Sequence, residues 1–193
     1  MPQIIKTTVY EFSELSDEAK GKALQWMRNN TAFYLDHVIE DAKEAASYLG
    51  IDVDKIYYSG FYSQGDGACF VGKFDSSKCE SIQTIDELYS ADKYIQNLAG
   101  RISKLENITA KITHSGRYYH AYSMDFDIEN DNNRGEYVGD DVENEVEEIL
   151  REFAKWTYYN LVKEYDWQMS DECLAEEIEA NEYTFTADGV RFG

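Results

Sequence analysis

Asp141, Glu145, Glu148 and Glu152 follow i, i+4, i+7 and i+11, a spacing that gathers four carboxylates onto one face of a helix, with Asp140 beside them. No pair among them is singled out for acid–base or glycoside chemistry, so the work open to the row is electrostatic: it attracts cationic side chains. Carboxylates every ~5 to 6 Å along a helix have a spacing of the same order as the ~3.4 Å phosphate repeat of a nucleic-acid strand. A basic groove built for nucleic acid would accept them. Like charges one turn apart cost a helix roughly a few tenths of a kcal/mol per pair, and within this helix only Arg151 and Lys155 stand near enough to relieve them. The competing reading is a solvated face that serves solubility.

The second chemically suggestive segment is Tyr58–Phe70, in which Ser63-Gln64-Gly65-Asp66-Gly67 separates two aromatic-rich runs. Phosphate-cradling glycine loops lead from a strand into a helix, whereas this one lies between two strands, so the glycines are read as a turn needing positive φ. Its tip, with Tyr62, Ser63, Gln64 and Asp66, is a candidate partner contact. A small-ligand or enzymatic site beside the hairpin would draw on Ser63, Gln64, Asp66, Cys69 and His120. Cys69 with His114 or His120 resembles a thiolate and its base only in composition; no nucleophile motif surrounds it, and a buried thiol fits a strand position better. Asp125, Asp127, Glu129, Asp131 and Asn133 supply oxygens for calcium, but the loop spacing fails for want of the sixth-position glycine and the twelfth-position glutamate. No metal or cofactor is expected.

The charge of the chain narrows the partners. Its 193 residues carry 38 acidic and 18 basic side chains, a net charge of −20, which disfavours direct binding to nucleic acid or anionic membranes and favours basic proteins. The excess is uneven: residues 1–124 hold 17 acidic and 13 basic side chains, residues 125–182 hold 20 and 4. Aromatic content of 15% and a single proline argue for a packed core rather than an acidic disordered chain. No stretch reaches the apolar length of a membrane span, no signal-peptide pattern opens the chain, and three cysteines without a CxxC pair suit reduced thiols, so a cytoplasmic protein is expected.

The elements that position these residues follow from periodicity. Residues 4–12 read as a strand, and Ser16 caps a helix through Ala19, Ala23, Trp26 and Met27. A second helical pattern runs from Phe33 to Leu49 and stops at Gly50, and a third covers 86–105. A hairpin of 108–114 and 117–128 turns at Ser115-Gly116, with Tyr118, His120, Tyr122, Met124, Phe126 and Ile128 on its inner face; Glu129–Gly135 is a loop. The longest helix, about 140–165, buries Val142, Val146, Ile149, Leu150, Phe153, Trp156 and Leu161. A helix at 170–180 and a hairpin over EYTFT-ADG-VRF close the chain. This order implies a single α+β domain, 1–193, with helices packed on an antiparallel sheet of hairpins.

The segment Tyr58-Ser59-Gly60-Phe61-Tyr62-Ser63-Gln64-Gly65-Asp66-Gly67-Ala68-Cys69-Phe70, with Ala180-Asn181-Glu182-Tyr183-Thr184-Phe185-Thr186-Ala187-Asp188-Gly189, resembles a group of small bacteriophage accessory proteins, some loosely labelled antitoxin of a toxin–antitoxin stability system. The resemblance implies a phage protein acting in the host cytoplasm and brings no catalytic residues. Joined to the charge pattern, it leads to the expectation of a non-enzymatic protein that binds and inhibits a basic, nucleic-acid-handling host protein, a defence effector or toxin, by nucleic-acid mimicry.

Overall fold

The computed structural model describes residues 3, 6–131 and 138–193. In chain order the elements are β1 (Tyr10–Glu11), α1 (Asp17–Asn30), α2 (Asp36–Tyr48), β2 (Leu49–Tyr58), β3 (Ala68–Cys79), α3 (Ile82–Leu88), α4 (Lys93–Ile102), β4 (Ile108–His114), β5 (Met124–Asn130), α5 (Asp140–Gln168), α6 (Asp171–Ala180), β6 (Thr184–Phe185) and β7 (Arg191–Phe192). Both sheets are antiparallel, so the α+β class read from the sequence is the class observed. Where the sequence shows no linker, contacts gather the chain into two compact units, residues 36–162 and residues 1–35 with 163–193; α5 runs unbroken from the one into the other.

In the larger unit β2-β3-β4-β5 form a meander. The register lines up Ile51, Phe74, Ala110 and Ile128 on one face, while Asp52, Lys73, Lys111 and Asp127 line up on the other. That alternation gives the sheet one face for the core and one for water. The stripe of α5 lies on the apolar side: Val146, Ile149, Leu150, Phe153 and Leu161 are fully buried, and Phe153 meets Phe70 edge-on at 5.6 Å. Gly50 takes φ +72 where α2 passes directly into β2, and a Cβ there would be driven into the Asp75 carbonyl oxygen.

In the smaller unit α1 and α6 pack together beside β1-β6-β7. Ser16 Oγ accepts the Ala19 amide at 3.3 Å, the cap expected from the sequence. The core is built from Phe12, Leu15, Ala23, Met27, Leu174, Ile178 and Phe185, and Arg28 donates to Asp171 at 2.6 Å and to the Met169 carbonyl at 3.3 Å.

Several expected boundaries move. The first strand shrinks to Tyr10–Glu11, its proposed start at Ile4 and Ile5 lying outside the described residues. The 86–105 helix is two helices, because the Asp92 carboxylate accepts the Tyr94 and Ile95 amides and starts α4 afresh while its other oxygen accepts Trp156 Nε1 at 2.8 Å. The strand expected from Arg117 begins only at Met124, since His120 and Ser123 tie residues 120–123 into a short 3-10 turn: Ser123 Oγ accepts the His120 amide and donates to the His120 carbonyl. Tyr118 and Tyr122 therefore face solvent at 71% and 69% exposure instead of packing inward. The loop read at 129–135 starts later, as β5 runs to Asn130, and residues 132–135 lie outside the described residues.

Candidate functional site

The predicted carboxylate row forms on α5, and most of it is already occupied. Arg101 reaches across from α4 and splits its guanidinium among three carboxylates. Nε and Nη2 donate to the two Glu145 oxygens at 2.7 and 3.0 Å, Nη1 to Glu152 at 2.8 Å and Nη2 to Glu148 at 3.1 Å. The Arg101 side chain is only 18% exposed, and its charge holds the Glu145 carboxyl below the usual range, chiefly through the hydrogen bond. Relief by Arg151 goes elsewhere: it pairs with Glu147 at 2.7 Å and donates to the Ala121 and Met124 carbonyls. Asp140 and Asp141 remain exposed at the N-terminus of α5, where negative charge suits the helix dipole. The row is thus mainly an inter-helix clamp.

A carboxylate row exposed to solvent stands on α6. Glu172, Glu176 and Glu179 follow i, i+4 and i+7 on its outer face, all exposed and none paired with a cation among the described residues, whereas Asp171 is bound by Arg28 and Glu177 accepts from Thr31 Oγ1 at 3.1 Å. Half of the ten residues of α6 are acidic and none is basic. At the C-terminal end of α6, Glu179, Glu182 and Glu11 line a groove of about 600 Å³ with Phe12 and Tyr183. The aromatic walls of this groove already attract cations: Lys20 lies 5.8 Å from the Phe12 ring centre and Arg191 4.5 Å from that of Tyr183. The sequence singled out the α5 row; what closes that row is Arg101 on α4, a partner that no pattern within α5 or α6 announces.

The hairpin tip is a compact, exposed turn. Asp66 accepts the Ser63 amide at 2.7 Å and returns its own amide to the Ser63 carbonyl at 3.1 Å, with Gly65 at φ +91. Tyr62, Ser63 and Gln64 are exposed, Tyr62 at 72%. Gly67 does not need positive φ as the sequence suggested; it is glycine because a Cβ would sit 2.7 Å from His120 Cδ2. Phe61 lies between Tyr58 and Tyr158, and the Tyr158 hydroxyl donates to the Gly60 carbonyl at 3.1 Å, seating the tip on α5.

Of the groups named for a ligand site there, Asp66, Cys69 and His120 each have local hydrogen-bond partners. Cys69 is buried and its thiol is pushed up by desolvation, opposed by hydrogen bonds at Ser123 and the His120 backbone, while His120 Nδ1 accepts the Tyr122 amide at 3.2 Å. Asp125, Asp127 and Glu129 alternate along the outer face of β5, and Asn133 lies outside the described residues. Among the described residues no three His, Cys, Asp or Glu side chains converge on a metal position, and no helix is long and apolar enough to cross a membrane.

A family described as a domain of unknown function (DUF8835) matches residues 34–171. The chain belongs to that family. The DUF8835 segment contains the meander, the hairpin tip and the Arg101 clamp, and ends at the first residue of α6. No curated protein and no solved structure matches the chain.

Proposed function

We propose that this protein is a non-enzymatic binding protein that captures and inhibits a basic, nucleic-acid-handling partner. The observation that carries the reading is the α6 row, three exposed carboxylates that form no ion pair among the described residues, continued by the Glu11, Glu179 and Glu182 groove. A net charge of −20 speeds encounter with a cationic protein, and carboxylates at one-turn spacing mimic what such a partner normally holds. On α5, Asp140 and Asp141 are exposed at the helix N-terminus, while Glu145, Glu148 and Glu152 serve the clamp. Tyr62, Ser63, Gln64 and Asp66 offer a separate contact of the amphipathic kind favoured at interfaces. The resemblance to phage accessory proteins supports a host defence effector or toxin as the partner, met in the host cytoplasm.

The test is a pull-down from bacterial lysate at low and high salt with the wild type and with Glu172→Lys/Glu176→Lys/Glu179→Lys. Basic nucleic-acid-handling proteins should be retained by the wild type at low salt, released at high salt and lost by the triple variant. Retention of the same proteins by the variant would refute the α6 face as the binding surface.

A further inference from the structure

Within the larger unit, the end of the meander where the β2–β3 and β4–β5 turns meet carries the opposite character from the rest of the chain. Rings and cations follow one another there in a strip. Lys55 Nζ lies 4.4 Å from the centre of Tyr57, and Tyr57 stacks on Tyr119 at 5.2 Å and 22°. After the Tyr119–His120 peptide, His120 stacks on Tyr122 at 5.3 Å and 15°, and Lys155 Nζ lies 5.1 Å from the Tyr122 centre. Arg117 and Tyr118 stand exposed beside it, Tyr118 at 71%.

The pairing of the cations is informative. The chain has 38 carboxylates for 18 Lys and Arg, so a surface cation has every chance of an acidic neighbour. Yet Lys55, Arg117 and Lys155 have no carboxylate within 4.0 Å among the described residues, and two of the three sit over rings instead. Two acids of the neighbouring elements have other partners: Asp66 accepts the Ser63 amide of its own turn and Glu147 is held by Arg151. At ~10 Å screening length in 0.1 M salt, the distant carboxylates that set the net charge weigh little against these local cations.

The geometry points to a site for single-stranded nucleic acid, bound without sequence preference. Bases would stack on the exposed faces of Tyr118, Tyr119 and Tyr122 while Arg117, Lys155 and Lys55 meet the phosphates, the combination of ring platform and cation track that single strands use. An acidic peptide would satisfy the cations and leave the flat rings without a purpose; a duplex hides its base faces and cannot stack.

The experiment is fluorescence anisotropy of a labelled ten-nucleotide oligothymidine from about 0.1 M salt upward, with competition by unlabelled oligothymidine, by a duplex and by poly-glutamate at equal charge. We expect binding whose logarithm falls with the logarithm of salt at a slope of about −2 for three cations. Tyr118→Ala/Tyr122→Ala should weaken it at least about fivefold, the low end of the loss of one base–ring stack, with the thermal melt unchanged. Arg117→Ala should lower the slope by about 0.7, which is read whether or not the tyrosine variant folds. Absence of binding, equal competition by duplex or poly-glutamate, or an unaltered slope would each overturn the proposal. Glu172→Lys/Glu176→Lys/Glu179→Lys should retain oligothymidine binding, which keeps this test separate from that of the basic partner.

Discussion

Replacing Arg101 by leucine keeps most of the aliphatic packing of its stem and removes the four charged hydrogen bonds that join α4 to Glu145, Glu148 and Glu152. Breaking a fully buried ion pair costs roughly 3–5 kcal/mol because a charge is left without a partner. Here the stranded carboxylates are 38%, 63% and 25% exposed and rehydrate in part, so the cost is discounted to about 2 kcal/mol. For a chain of this length that corresponds to a fall of roughly 4–8 °C in Tm. The pH dependence has a definite sign. Glu145 has its folded pKa lowered, so its contribution is present above the unfolded carboxyl value and is lost as pH falls through the folded one. The gap between wild type and Arg101→Leu, read by thermal and urea unfolding, should therefore be full at pH 7 and shrink progressively below about pH 4.5. Arg101→Lys, which keeps a charge but loses the fork, should fall between the two. A variant within about 0.5 kcal/mol of wild type at pH 7, below the usual value of even one charged hydrogen bond, would refute the clamp. An equal loss at pH 3 and pH 7 would refute its ionic nature.

Two further substitutions test the scaffold. Gly50→Ala asks for a side chain at φ +72 and drives it against the Asp75 carbonyl, so urea unfolding should show a loss of about 2–4 kcal/mol, with Gly50→Asn no better because the obstruction is main chain. His114 Nε2 is shut off from water without a hydrogen-bond partner among the described residues, and the ring lies 5.5 Å from Tyr57 and 5.3 Å from Tyr119; His114→Phe keeps the ring contacts, removes the buried nitrogen and should raise stability by about 1 kcal/mol in the same assay, whereas a loss would show that the nitrogen is satisfied.

What could be read from the sequence is what repeats along one element. The stripe Val146–Leu161 on α5, the hairpin around Ser63–Gly67 and the Ser16 cap depend on neighbours within a few residues, and all three are present. The run Tyr118, His120, Tyr122 alternates as well as any strand, yet reciprocal hydrogen bonds between His120 and Ser123 offered the backbone a local turn, and the close seat of the His120 ring on Gly67 accompanies it. The third helix shows the same competition: an apolar period continues from 86 to 105, but Asp92 caps a new start within it.

The candidate site was less legible for a different reason. Whether a carboxylate is available to a partner depends on where the scarce cations go, and that is settled by pairs far apart in sequence, Arg101 with Glu145 across 44 residues and Arg28 with Asp171 across 143. With 18 Lys and Arg for 38 acids, each such commitment frees one surface and closes another. A helical wheel shows the rows on α5 and α6 as equals. The fold separates them because an arginine on α4 lies against the first, while among the described residues the outer face of the second forms no ion pair within 4.0 Å. The same scarcity gives weight to the cations that sit over tyrosines at the end of the meander: in so acidic a chain, lysines that pair with rings and with no carboxylate within 4.0 Å among the described residues keep their charge available to an anion that the rest of the molecule repels.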